Sequence, residues 1–230
     1  MAISEHARDR LRRLESAVGA IAIALATIGI VLLPLTTPLF VRGLVTVVGS
    51  DELTGLSAER TLEVAEAVRV FVTHAEAPAL PAEVDGRAGF DAAAISHLED
   101  VRDVMVPARS LALGLAALAI VWVVLRSRTR AGRITAAFGV FAAGVLLLSG
   151  SAVLLLSGIV NFNGLFAWFH SLFFAAGTWT FPADALMIQV FPLPFWIVAG
   201  ACWGALIIAA GVGLVWGGRR LMFTKPTVGV

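Results

Sequence analysis

The sequence predicts an all-α polytopic membrane protein, four transmembrane helices with a helical extracytoplasmic cap. Three observations carry that prediction. Hydrophobic residues make up 59% of the chain against 14% charged, and mean hydropathy is +0.90, a balance outside the soluble globular range. Four long apolar runs can each cross a hydrocarbon core, which takes about 20 helical residues. The acids are concentrated in one place, twelve of the sixteen lying between Asp51 and Asp103.

In chain order, a basic start with Arg8, Arg10, Arg12 and Arg13 leads into an uncharged run over about 16–40. That run exceeds the roughly 7–15 residues of a signal-peptide core, so it reads as a retained helix ending near Pro34 or Pro38. The polar segment 41–105 follows. In it, Ser57 to His74 reads as an amphipathic helix, with Ser57 as N-cap and Leu62, Val64, Val68 and Phe71 as its apolar positions. Pro78, Pro81 and the Asp85-Gly86 turn interrupt the pattern. A second helix starts at Asp91 and carries Ala94, Leu98, Val101 and Met105 at helical spacing. It runs towards the second span, about 106–125, across a kink at Pro107.

Arg126, Arg128, Arg130 and Arg133 form a short basic hairpin before the third span, about 134–160. Gly139, Gly144, Gly150 and Gly158 in that span allow close helix approach. The segment 161–194 is the second outer loop, and about 195–216 is the fourth span. Eleven of the seventeen Lys and Arg fall at the N-terminus, the hairpin and the C-terminal tail (Arg219, Arg220, Lys225). By the positive-inside rule both termini are cytoplasmic, so loops 41–105 and 161–194 face outward. The spans then form a bundle capped outside by the helices of 56–74 and 91–105.

The second loop is chemically unusual. Residues 161–196 hold eleven of the twenty aromatic residues, together with His170 and Asp184. Aromatic residues gather at the membrane interface, and a titratable group at that depth usually marks function. His170 has Phe166, Phe173 and Phe174 as helical neighbours; its bland reading is an interfacial histidine reaching to water. On the first loop, Asp100 stands three residues after His97 and shares its helix face, an arrangement that can orient a general base. Such pairs are also common on solvated helices. Asp184 is either a helix N-cap or a site residue, Asn161 and Asn163 are capping or hydrogen-bonding candidates, and Trp179 is an interface anchor or a ligand contact. The topology sets His97 and His170 on the same side and His6 on the other.

Several chemistries lack their residues. There is no HExxH or GxSxG, no Walker motif, and no charge in the interior of a span that would serve an ion relay. The lone Cys202 supports neither a disulfide nor a zinc framework, so no metal and no cofactor is expected. A net charge of +1 gives no reason to expect nucleic acid. Histidine acid–base chemistry on a membrane-borne substrate is what remains.

Two segments resemble a known bacterial membrane-protein family. Phe90 followed by His97-Leu98-Glu99-Asp100-Val101-Arg102 is similar to its short signature, F-x6-H-[ML]-x-D-V-[KR]. Phe169-His170 with Phe173-Phe174, Thr178-Trp179, Phe181-Pro182, Asp184, Leu186, Ile188, Phe191-Pro192 and Phe195-Trp196 is similar to its longer one. The family includes the Lit-type lipoprotein intramolecular transacylases. The resemblance implies a bacterial plasma-membrane enzyme that moves the sn-2 acyl chain of a lipoprotein's diacylglyceryl-cysteine onto the cysteine's α-amino group, giving a lyso-form lipoprotein. It implies His97 and His170 as catalytic residues, with Asp100 orienting His97. The supporting or substrate-positioning set is Asp100, Arg102, Asn163, Trp179 and Asp184. The implied partners are the lipoprotein substrate and bilayer lipids.

Two other functions fit the same sequence: a non-catalytic tetraspan protein whose outer loop binds a partner, and an acyltransferase acting on phospholipid. Catalysis requires the two imidazoles within about 8 Å of each other, so that one bridging atom reaches both.

Overall fold

The computed structural model describes residues 5–223; Lys225, counted above among the tail cations, lies outside them. Helix α1 (Glu5–Ile30) ends before Pro34, which sits in a 3₁₀ turn, Leu33–Thr36. Pro38 then opens α2 (Pro38–Val47) at its first position, where its missing N–H costs nothing, and Thr37 caps that helix by accepting from the Phe40 N–H at 3.4 Å. The span was expected to end near Pro34 or Pro38, and it does: the apolar helical stretch stops at Thr36, and Pro38 starts a separate helix, 38–47, too short to cross a bilayer.

After α3 (Ser50–Thr54) comes α4 (Ala58–Thr73), capped as expected by Ser57 accepting from the Arg60 N–H. A hairpin of β1 (Glu83–Val84) and β2 (Arg87–Ala88) follows, and it was not anticipated. Its turn is the Asp85-Gly86 pair, with φ of 52° and 80°, the positive values that a two-residue hairpin turn of type I′ demands. The remaining helices are α5 (Ala92–Ser127), α6 (Arg130–Phe173), α7 (Leu186–Val190) and α8 (Leu193–Phe223). Asp91 caps α5, its carboxylate accepting from the Ala94 N–H at 2.8 Å. The helix then continues through Pro107.

Among the described residues, four helical stretches are long and apolar enough to span a membrane: Glu5–Thr36, Ala92–Ser127, Arg130–Phe173 and Leu193–Phe223. The chain is an all-α polytopic membrane protein. Leu118, Ile120, Val121 and Val124 of α5 are all more than half exposed, which is tolerable where the surrounding solvent is hydrocarbon. At 1.5 Å per residue, α5 is roughly 54 Å long and the part of α6 before Asn161 (130–160) roughly 46 Å, against a core of about 30 Å. Both therefore extend well beyond the hydrocarbon.

The chain divides into two compact units. Among the described residues, one comprises 5–31, 110–156 and 204–223; the other comprises 32–109 and 157–203. In the first, the Glu15 carboxylate accepts from the Arg126 guanidinium and from Trp122 Nε1. Small residues set its helix spacing: a Cβ on Gly144 would lie 2.6 Å from the Gly211 carbonyl oxygen and 2.7 Å from the Val215 nitrogen.

The second unit has a core of the kind found in soluble proteins. Val41, Leu44 and Val45 of α2 meet Val64, Val68 and Phe71 of α4, and Val84, Phe90, Leu98, Leu186 and Val190 fill the space between elements. Polar clamps close it. Arg87 donates to the Thr54 carbonyl and to Gln189 Oε1, tying the hairpin to α3 and α7, and the buried Ser50 hydroxyl donates to the Val190 carbonyl at 2.9 Å.

The two kinds of glycine environment give opposite expected signs. Gly144→Ala pushes a methyl into backbone atoms and is expected to cost about 1–3 kcal/mol. Gly43→Ala, in α2 with nothing within 4 Å, is expected to be neutral or to stabilise by up to about 1 kcal/mol through helix propensity. Thermal unfolding of both variants in detergent checks the pair.

Candidate active site

The second unit brings the two histidines together. Asp91 caps the helix whose first turns carry Ala94 and Leu98 into the core, and the same face takes His97 inward, leaving it only 8% exposed. His170 arrives on the last turns of α6. That helix is interrupted at Asn161, where φ is −156° and ψ 87°, and Asn161 Oδ1 accepts from the Gly164 N–H at 2.9 Å. Asn161 therefore caps a new helical segment (162–173), one of the two roles the sequence left open. The sequence had ended the third span at 160 and treated the next residues as loop; they are helical through Phe173.

The imidazole rings of His97 and His170 are stacked, with centroids 6.4 Å apart and planes 26° from parallel, inside the separation that a shared reacting atom requires. Aromatic rings enclose both. His170 has Phe166 at 4.0 Å, Trp179 at 4.8 Å, and Phe169 and Phe174 each at 5.7 Å. His97 has Phe174 at 5.0 Å and Phe181 at 5.6 Å. Phe174 thus touches both imidazoles, whereas Phe173 packs on Phe169 and Phe174 instead.

Hydrogen bonding distinguishes the two rings. His170 Nδ1 lies 2.8 Å from the Phe166 carbonyl oxygen, and because a carbonyl only accepts, that nitrogen is the protonated one. His97 Nδ1 is buried with no partner. Asp100 does not hold it. The carboxylate is exposed and acts on the ring only through its charge, because three residues along a helix turn a side chain far enough round to leave the core for its rim.

A model of the family described as lipoprotein intramolecular transacylase Lit matches residues 17–196. This chain belongs to the lipoprotein intramolecular transacylase family. The family's reaction is an acyl transfer within one lipoprotein, and that is the function of this chain. Solved structures agree in fold. The transacylase Lit from Bacillus cereus is 14% identical with a TM-score of 0.74, the match covering 93% of this chain and 96% of that one. Two variants of the same protein, with one histidine replaced by arginine or by alanine, are 14% identical with TM-scores of 0.68, covering 93% of this chain and 93% or 94% of theirs. A comparison with curated protein sequences finds no match.

The remaining sequence candidates divide. Trp179 is at the site, its ring against His170 and its Nε1 buried without a partner. Arg102 is directed elsewhere, its guanidinium 4.9 Å from the Phe71 ring centroid and close to Glu99 and Asp103. Asn163 and Asp184 are exposed. Asp184 is not the cap of α7, for that position is Ala185, with no side-chain bond.

Sequence reasoning missed Gly177; Phe181 stood only as one residue of the longer signature. Ala175 to Thr178 form a turn closed by the Thr178 N–H to the Ala175 carbonyl at 3.2 Å, with Gly177 at φ 86°, the type II pattern with glycine at its third position. This turn hangs Trp179 on His170 and Phe181 on His97. A Gly-Thr pair after two alanines is a legible turn signal, but its consequence depends on tertiary contacts.

Gly177→Ala meets no steric neighbour within 4 Å but forces an L-residue into the left-handed region, at about 1–2 kcal/mol. The expected outcome is a slightly lower unfolding temperature in detergent and a larger fractional loss of turnover, both read on the purified protein.

Proposed function

We propose that the protein moves the sn-2 acyl chain of a diacylglyceryl-cysteine to the α-amino group of the same cysteine, with His170 as general base and His97 as general acid. The observation that carries this reading is the pair of stacked imidazoles, 6.4 Å apart inside an aromatic enclosure. Rings at that separation are close enough for their in-plane nitrogens to serve one reacting centre. The tautomer supports the division of roles. With Nδ1–H engaged by Phe166, the lone pair of neutral His170 is on Nε2, free to take a proton from the attacking amine. His97, free of any such bond at Nδ1, is the ring that protonates the departing glyceryl oxygen.

No acyl-enzyme is needed, because nucleophile and ester belong to one molecule. Holding the amine against the ester is worth several of the roughly 7–11 kcal/mol available to well-oriented intramolecular reactions. The surrounding Phe and Trp side chains offer apolar surface for the acyl chains. The orientation of the chain supports the same picture. Eleven of seventeen Lys and Arg lie at the two ends and in the 126–133 hairpin, so we read both termini as cytoplasmic and segments 41–105 and 161–194 as extracytoplasmic. The substrate then reaches the site from the outer leaflet of the bacterial plasma membrane.

The test is mass spectrometry of an N-terminal lipopeptide from a host lacking any other N-acylating enzyme. Wild type is expected to yield the lyso form. His170→Ala and His97→Ala are each expected to slow conversion by ~10²–10⁴-fold. The double variant is expected to be little slower than the worse single one, since groups acting as a unit are non-additive. Single variants converting at the wild-type rate would sink the two-histidine reading.

A further inference from the structure

A buried indole N–H without a partner is an anomaly, because Trp normally satisfies its one donor when it is enclosed. Two other tryptophans show the usual behaviour: Trp122 Nε1 donates to Glu15 and Trp196 Nε1 to the Phe191 carbonyl at 3.0 Å. Trp179 is different. Its Nε1 is buried and unpaired, while its ring lies 4.8 Å from His170 and 6.4 Å from Phe166. The indole is held in place by the Gly177 turn and by these two rings. It has a donor and no acceptor capacity, so the ligand atom it suits is an oxygen with a free lone pair.

We propose that Trp179 is a further catalytic residue, its Nε1–H donating to the ester carbonyl oxygen of the acyl chain in transit. The inference rests on the two-histidine reading and adds the group that reading lacks. As the amine nitrogen bonds to the carbonyl carbon, the carbonyl π pair moves onto oxygen, and Trp179 Nε1–H stabilises that oxyanion. His170 removes one proton from the attacking nitrogen. The pair on oxygen then re-forms the carbonyl, the carbon–glyceryl oxygen bond breaks, and His97 protonates the released glyceryl oxygen. The proton taken up by His170 passes to His97 as His97 gives its own to the glyceryl oxygen, so the amine proton becomes the hydroxyl proton, both rings return to their starting states and no other reactant is required. A donor aimed at developing charge in a water-poor enclosure acts on the transition state more than on the bound ester.

The prediction separates this role from ring packing. Trp179→Phe keeps an aromatic ring and loses the donor. Replacement of Trp179 by benzothienylalanine, which puts sulfur in place of N–H, keeps both shape and stacking. With a synthetic diacylglyceryl lipopeptide and purified protein, both changes are expected to lower kcat by ~10²–10³-fold with KM nearly unchanged. Equal unfolding temperatures for wild type and the isosteric variant confirm an intact fold. An isosteric variant at wild-type kcat overturns the proposal, as does a change confined to KM, which would assign Trp179 to holding the substrate. His170→Ala assayed alongside distinguishes the two levels. If it is inactive while the isostere is not, only the Trp179 role fails; if it retains wild-type turnover, or if wild type converts nothing, the underlying reading fails with it.

Discussion

The 2.8 Å hydrogen bond from His170 Nδ1 to the Phe166 carbonyl is the constraint on which the geometry around the two histidines depends. It joins positions i and i−4 of one helix, so it forms without help from any other element. In exchange for one carbonyl lone pair it fixes a tautomer, a ring orientation and the direction in which the remaining nitrogen points. A fixed imidazole is useful only if its surroundings are equally fixed. The aromatic shell supplies that, because Phe and Trp bury large rigid surfaces with two rotatable bonds each and meet edge to face. Phe174 is the shared piece, in contact with both histidines.

A membrane protein gains little from burying apolar side chains against one another within hydrocarbon, since lipid is as apolar as leucine. The chain reflects this division. Its first unit is held by close backbone approach at glycines and by the Glu15–Arg126–Trp122 cluster. Its second unit, which carries the site, has instead a packed core of Val, Leu and Phe closed by Arg87 and Ser50. Positional accuracy at His97 follows from that core, because the residues on either side of it along the buried face, Ala94 and Leu98, are part of it.

Much of this was legible in the sequence. Periodicity and charge found α4 and its Ser57 cap, the Asp91 cap of α5 and the four apolar helices, since each is a local signal. Family resemblance nominated His97 and His170, and Asn161 was a cap candidate. What escaped was whatever depends on contacts distant in sequence. The Arg87–Gln189 clamp joins residues 102 apart, and nothing near Arg87 announces it. Asp100 shared a helix face with His97 on spacing alone, but spacing does not say where the core ends, and that boundary falls between them. Asp184 had the composition of a cap and stood one residue too early.

These misplacements bear on how the site works. An orienting carboxylate would have made the His97–Asp100 pair resemble the base of a hydrolase, with His170 as an accessory. Without it, His97 has no partner that fixes its tautomer, whereas His170 has one, so the better-defined imidazole is the ring on α6. The donor that remains nearby is an indole rather than a charged group. A neutral donor suits a site of this kind, because a cation set among phenylalanines carries a desolvation cost that an N–H does not.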